Sequence, residues 1–276
     1  RQGVYFSDRI EITPKASIVI GARYDSYELK PSVDELFNRS NVARNALSYI
    51  DDSAVSGKLG FIYDINDSLS IFAQYAEGFR SPDYESANIS FTNFAFFYSV
   101  APNPNLDSEE SDGYEIGLRG NNNFGESRIN WSLVYYENDY EDFIDTQITG
   151  RTQRGITIYQ YVNLNNVTID GFELEVQALL SDNYSLYLGY SNSDGEQNGE
   201  KLISIDPDQT IFGLNWSSDN GKFNIRGFAN IVEESIDGLD PICGRSGCNS
   251  LVETPGQITF DLFFNANLSD NIDLNL

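Results

Sequence analysis

The sequence predicts an all-β protein, a transmembrane antiparallel up-and-down β-barrel, on three observations. Apolar and polar residues alternate with period two along most of the chain, as on a pleated strand whose successive side chains face opposite sides. Short polar turns and long connections then alternate without a miss, which matches a barrel with tight turns on one rim and long loops on the other. Finally, aromatic residues gather near strand ends, where an interfacial girdle places them: Tyr75 and Phe79, Tyr135 and Tyr136, Tyr184 and Tyr190.

In chain order, the first strands read at roughly 3–12, 16–30 and 54–65. Leu69, Ile71, Ala73 and Tyr75 alternate with Ser70, Phe72, Gln74 and Ala76, and Tyr114, Ile116 and Leu118 with Glu115, Gly117 and Arg119. Ile129, Trp131, Leu133 and Tyr135 make the next stripe, then Phe172, Leu174, Val176 and Ala178, then Phe212, Leu214 and Trp216. Phe223, Ile225 and Gly227 alternate with Asn224 and Arg226. The longest stripe runs from Ile258 to Leu268, and only Phe263 interrupts its polar side of Thr259, Asp261, Asn265 and Asn267. Turns rich in Asn, Asp, Ser and Gly sit at 13–15, 66–68, 121–125, 181–183, 218–221 and 269–271. Long connections fall near 31–53, 80–110, 145–157, 195–208 and 235–255. The total is about twelve strands, with no run near the roughly 18 apolar residues of a spanning helix. A soluble β-sandwich also alternates; long strands and long loops gathered at one end favour the barrel.

Composition narrows the function classes. With 17 Lys plus Arg against 42 Asp plus Glu, the net charge of −25 sets nucleic acid aside as a partner, because phosphate binding needs a basic surface. The absence of His excludes a His-based triad, a His-ligated zinc and a His proton shuttle in this stretch. No catalytic residue is expected, and no resident metal or intrinsic cofactor. An aromatic content of 13% argues against disorder. Met is absent even at position 1, and about 23 residues per strand would bring a 22-stranded barrel to on the order of 500 residues. An open half-barrel leaves strand edges unpaired in lipid. Residues 1–276 are therefore expected to be one partial barrel domain, and the rival is a complete twelve-stranded barrel.

Several motifs refine this. Tyr75-Ala76-Glu77-Gly78-Phe79-Arg80-Ser81-Pro82 resembles the Phe-Arg-Ala-Pro motif of TonB-dependent outer-membrane receptors. Asn103-Pro104-Asn105-Leu106 matches the Asn-Pro-Asn-Leu motif of their haem and haemoglobin branch. Residues 107–111, then Gly113-Tyr114-Glu115-Ile116-Gly117-Leu118, resemble the family's acidic-Ser run and Tyr-Glu-x-Gly strand. Asn163 to Asn166, Gly171-Phe172-Glu173-Leu174-Glu175 and Phe260-Asp261-Leu262 follow in the family's order. The resemblance implies a 22-strand barrel with an N-terminal plug, TonB contact and energised import. It places this chain from about the tenth strand to the start of the twenty-first, so plug, early strands and last strand lie outside it.

The implied activity is uptake of an iron-containing ligand, haem or ferric siderophore, across the bacterial outer membrane, with long loops extracellular. A passive porin or adhesin barrel is the alternative. Haem receptors of this group place a His between the two motifs, and this chain has none there. The implied partners are TonB, outer-membrane lipid and lipopolysaccharide, and the iron ligand or its carrier protein.

The 80–110 loop holds the candidate ligand site: Arg80, Tyr84, Phe94, Phe97 and Tyr98, with Tyr84 or Tyr98 able to ligate iron as phenolate. The competing reading packs these aromatics on neighbouring loops and the plug. The motif residues Phe79, Arg80, Pro82, Asn103, Pro104, Asn105 and Leu106 read either as ligand contacts or as architecture that ends strands. Cys243 and Cys248 are expected to form a disulfide, since such a protein folds through an oxidising periplasm; a two-thiolate metal site is the alternative. Acidic clusters at Asp139 to Asp145, at Asp206 and Asp208, and at Glu233 to Asp237 read as solvated rim charges with loosely bound divalent cations. Glu115, Arg119, Glu173, Glu175, Arg226 and Asp261 read as lumen lining.

Overall fold

The computed structural model describes residues 1–32, 47–203, 205–239, 251–269 and 272–276. Cys243 and Cys248 lie outside the described residues. In chain order the elements begin with β1 (Gln2–Thr13), β2 (Ala16–Leu29), β3 (Ile50–Asn66) and β4 (Leu69–Arg80). The short helix α1 (Tyr84–Asn88), β5 (Phe91–Asn93) and β6 (Tyr98–Ala101) come next. They are followed by β7 (Glu109–Phe124), β8 (Ser127–Glu141), β9 (Phe143–Arg151), β10 (Thr157–Leu164), β11 (Val167–Leu179), β12 (Tyr184–Gln197) and β13 (Glu200–Lys201). The chain ends with β14 (Gln209–Ser217), β15 (Phe223–Val232), β16 (Ser235–Leu239), β17 (Leu251–Thr254), β18 (Gln257–Ser269) and β19 (Ile272–Asn275).

One large sheet runs β1-β2-β3-β4-β7-β8-β11-β12-β14-β15-β18-β19, each strand antiparallel to its neighbours, with β13 attached to β12. This up-and-down order follows the chain. Short turns alternate with long connections as the sequence predicts. Thr13 Oγ1 accepts from the Lys15 amide at 3.2 Å and Asn66 Oδ1 from the Ser68 amide at 2.8 Å, so these tips are closed by side chains acting as local turn partners. The long connections, however, are not structureless. The segment read as a loop at 145–157 holds parts of β9 and β10, the 80–110 loop holds α1, β5 and β6, and the last long connection holds the hairpin β16–β17. These strands are short or pair outside the large sheet, and the parallel pairing of β6 with β10 joins residues far apart in sequence, so period-two reading within one segment does not reveal them.

Register gives the sheet two distinct faces. Phe61 pairs with Ala73, Ala73 with Ile116, Ile116 with Tyr135, and Tyr135 with Phe172, while Leu118 pairs with Leu133 and Leu133 with Leu174. Directly paired residues share a face, so these rows form a continuous apolar band. The band stays in contact with solvent: Phe260 is 78% and Leu262 74% exposed. A contiguous apolar surface of this kind belongs against lipid or a partner. The opposite face carries Glu115, Arg119, Glu173, Glu175, Arg226 and Asp261, all placed together by register as the polar lining. Phe263, the residue out of pattern, lies on this polar face, edge-on to Phe228 at 6.2 Å and 5.8 Å from the Arg226 guanidinium.

Aromatic rings edge the apolar band. At the long-loop end Tyr75 meets Tyr114 at 5.2 Å and Tyr135 meets Phe172 at 5.1 Å. Their hydroxyls point to carboxylates: Tyr135 donates to Glu137 at 2.9 Å, Tyr190 to Asp208 at 2.9 Å, and Tyr75 to Asp112. Each ring thus has an apolar body and a polar tip, the arrangement suited to a membrane–water boundary. Trp131, Tyr184 and Trp216 edge the same face toward the short turns. Gly171 is required by close packing, since a Cβ there would lie 2.1 Å from the Asn192 carbonyl oxygen and 2.7 Å from the Tyr136 hydroxyl.

Candidate ligand-binding site

The site is built where β4 leaves the sheet. Arg80, its last residue, donates to Glu109 Oε2 at 2.5 Å and to the Ile144 carbonyl at 3.2 Å. The same Glu109 oxygen accepts the Ile144 amide at 3.0 Å, and Glu109 is buried. One carboxylate therefore ties the ends of β4 and β7 to the start of β9. Pro82 is fully buried and stiffens the exit. Asp83 then caps α1: its carboxylate accepts the Ser86 amide at 2.8 Å while the Ser86 hydroxyl accepts the Asp83 amide at 3.1 Å. That hydrogen bond from the Ser86 backbone holds the Asp83 carboxyl below its ordinary pKa, ahead of the smaller pull of Arg80 and against partial burial.

Beyond α1 the two loops fuse. β5, β6, β10 and β9 form a separate four-stranded sheet in that order. β6 and β10 pair in parallel, from Tyr98 with Thr157 to Ala101 with Gln160. Asn103 Nδ2 donates to the Tyr161 carbonyl at 2.8 Å, and Gln160 Nε2 to the Pro102 carbonyl at 2.8 Å. Asn163 accepts the Asp107 amide at 2.9 Å and donates to the Asp142 carbonyl at 2.7 Å. Asn103 also accepts the Asn105 amide at 3.1 Å, and the Pro104 carbonyl accepts from Ser48 at 3.3 Å. Arg80, Pro82, Asn103 and Pro104 thus sit at the joints between strands and loops.

The candidate ligand residues separate into two groups. Tyr98 is packed edge-on between Phe91, at 5.6 Å, and Tyr159, at 6.2 Å. Arg80 is held in the joint just described. Tyr84, Phe94 and Phe97 face solvent, with Phe94 at 70% and its neighbour Phe96 at 62% exposure. Asn93 Oδ1 closes this tip by accepting the Ala95 and Phe96 amides at 3.1 and 3.2 Å. Phe97 adopts φ 55°, the left-handed region that a bulky residue seldom enters, and its carbonyl accepts the Thr157 amide at 2.9 Å. Arg151 and Arg154, on the neighbouring hairpin, were not among the residues the sequence singled out. The signal was in the composition: residues 86–106 hold no charged side chain, and 146–169 hold only these two before Asp170.

A cleft of about 430 Å³ lies at the exit of β4, lined by Phe79, Arg80, Ser81, Pro82, Ile144 and Tyr161 among others. A larger one, of about 710 Å³, is lined by Glu77, Glu110, Asp112, Asp139 and Glu141 with parts of β3 and β11. Among the described residues no three His, Cys, Asp or Glu side chains converge as a metal cradle, and no helix is long and apolar enough to cross a membrane.

The family model described as TonB dependent receptor-like, beta-barrel, matches residues 1–276. The chain belongs to the TonB-dependent receptor β-barrel family. Among curated relatives, this receptor barrel is 22% identical over 277 residues to the probable hemoglobin and hemoglobin-haptoglobin-binding protein 4 of Haemophilus influenzae, covering 80% of this chain and 27% of that protein. It is 24% identical over 281 residues to the probable TonB-dependent siderophore receptor PiuA of Acinetobacter baumannii, covering 99% of this chain and 35% of that protein. The chain thus spans about a third or less of the length of these relatives. Among solved structures it resembles the copper transporter OprC, with TM-score 0.70 and 18% identity over 99% of this chain and 40% of that one. It also resembles the ferripyoverdine receptor of the outer membrane of Pseudomonas aeruginosa, with TM-score 0.67 and 20% identity over 98% of this chain and 33% of that one. These structural likenesses show the fold, an antiparallel up-and-down barrel sheet that is open among the described residues.

Proposed function

We propose that this chain is part of an outer-membrane active-transport receptor that takes up an iron-containing ligand, haem or ferric siderophore, with energy coupled through TonB. The observation that carries the reading is the family match over all 276 residues, joined to relatives named for haemoglobin binding and for siderophore reception. In this reading the polar face lines the lumen, a plug and further strands come from outside this chain, and the apolar band meets outer-membrane lipid and lipopolysaccharide. The long loops face the exterior, where the β5–β6 hairpin captures the ligand or its carrier protein. Phe94 and Phe97 make the first contacts, with Tyr84 a further exposed aromatic of the same long connection. Phe79, Arg80, Pro82, Asn103, Pro104, Asn105 and Leu106 serve as architecture, a role supported by the joint that Arg80 and Asn103 make between the two loops. Cys243 and Cys248 form a disulfide in the last long loop, and the acidic rim holds divalent cations loosely.

The test is growth of a receptor-deletion strain under iron limitation, complemented with the intact receptor and given haem, haemoglobin or a ferric siderophore as sole iron source. Growth that needs both the receptor and TonB is expected. Growth that needs the receptor but survives loss of TonB assigns a passive barrel instead.

A further inference from the structure

The parallel pairing of β6 with β10 has a geometric result. Each strand is preceded by a tight hairpin turn, residues 94–97 before β6 and residues 152–156 before β10. Because the strands run in the same direction, both turns lie at the same end of the small sheet, and the Thr157 amide bonded to the Phe97 carbonyl at 2.9 Å joins them. One tip presents the exposed rings of Phe94 and Phe96, and the other the exposed guanidinium groups of Arg151 and Arg154. Among the described residues no carboxylate pairs with either arginine. In a chain of net charge −25, two segments, 86–106 and 146–169, that hold exposed rings, two arginines and no Asp or Glu are a local reversal of sign.

We propose that the two hairpin tips form one capture site for an anion with an exposed aromatic face. This deepens the preceding reading and rests on it: of the iron ligands such a receptor meets, those with an aromatic face and carboxylate or catecholate oxygens fit this surface, and aliphatic or cationic chelates do not. The rings of Phe94 and Phe96 offset-stack on the ligand's aromatic face. Arg151 and Arg154 donate charge-assisted hydrogen bonds to its anionic oxygens. The site also reconciles an anionic cargo with an acidic protein, since the positive tips stand apart from the carboxylate-rich strand ends and act over short range in physiological salt.

The experiment is equilibrium binding to the intact receptor in detergent with four probes. They are haemin, haemin with both carboxylates esterified, a ferric tris-catecholate and a ferric tris-hydroxamate. The variants are Arg151→Gln/Arg154→Gln and Phe94→Ser/Phe96→Ser, each checked for unchanged β-rich circular dichroism. For the aromatic anion that binds, each double variant is expected to weaken affinity by about tenfold or more. Haemin or the tris-catecholate, whichever binds, identifies the source of the anion. Where haemin binds, esterified haemin loses affinity with the phenylalanine pair and is indifferent to the arginine pair. Binding of either anion unchanged in both variants, or a preference for the hydroxamate, overturns the site while leaving iron uptake standing. A wild-type receptor that binds none of the iron probes overturns both.

Discussion

At the scale of single residues, the buried carboxylate of Glu109 makes a joint between strands and loops. Glu109 accepts from both Arg80 and the Ile144 amide, so it satisfies a backbone donor that burial would otherwise leave unpaired. Arg80 is 57% exposed, so the ion pair itself adds little and the amide bond is the larger part. Glu109→Ala is therefore expected to cost about 1–3 kcal/mol in the attachment of the two loops, read as lost hydrogen-exchange protection at Ile144. Unchanged protection would show that another acceptor takes over. Asp83 gives a pH signature. Its folded pKa lies below the ordinary 3.8, so its stabilisation of α1 is full above that value and is lost as pH falls through the lower, folded one. Exchange protection at Ser86, corrected for intrinsic rates, should be flat through mildly acidic pH and fall only below about 3.8. Asp83→Ala should remove this step and cost about 1 kcal/mol as a lost cap.

At the scale of elements, strands and turns were legible in the sequence and the loops' inner structure was not. The pleat imposes period two on any strand with one apolar face, so Leu69 to Tyr75 or Ile258 to Leu268 declare themselves. β6 and β10 are short, held from both sides by Asn103, Gln160 and Asn163, and their pairing is set by partners more than fifty residues away. No local pattern encodes that contact. The same holds for Gly171, whose place in a Gly-Phe-Glu motif was readable while its reason, the Asn192 carbonyl oxygen 2.1 Å from where a Cβ would lie, belongs to the neighbouring strand. Gly171→Ala is expected to break the β11–β12 register at that point, and overpacking of this kind costs about 1–3 kcal/mol or more. Loss of heat-modifiable barrel migration on gels would report it; a barrel that folds and melts like wild type would show that the strands part at no cost.

At the scale of the whole molecule, two faces of opposite polarity define the solvent of each side. Leu133 lies in the apolar band between Trp131 and Tyr135, and Ser132 points to the polar face. Leu133→Arg should destabilise the barrel in a bilayer by about 2–4 kcal/mol, while Ser132→Arg should cost much less, measured by denaturant unfolding from lipid vesicles. Equal costs would mean that the band does not face lipid.

The sequence alone determined the fold class, the alternation of turns and loops, the two faces and the family resemblance. These depend on strand periodicity, turn chemistry and motif order, which are properties of contiguous residues. Tertiary structure alone decided that the two central long loops form one sheet, that Arg80 and Asn103 sit in its joints, and that the turns at 94–97 and 152–156 lie at one end of it. Those relations depend on hydrogen bonds between segments distant in sequence, which no local pattern of residues specifies.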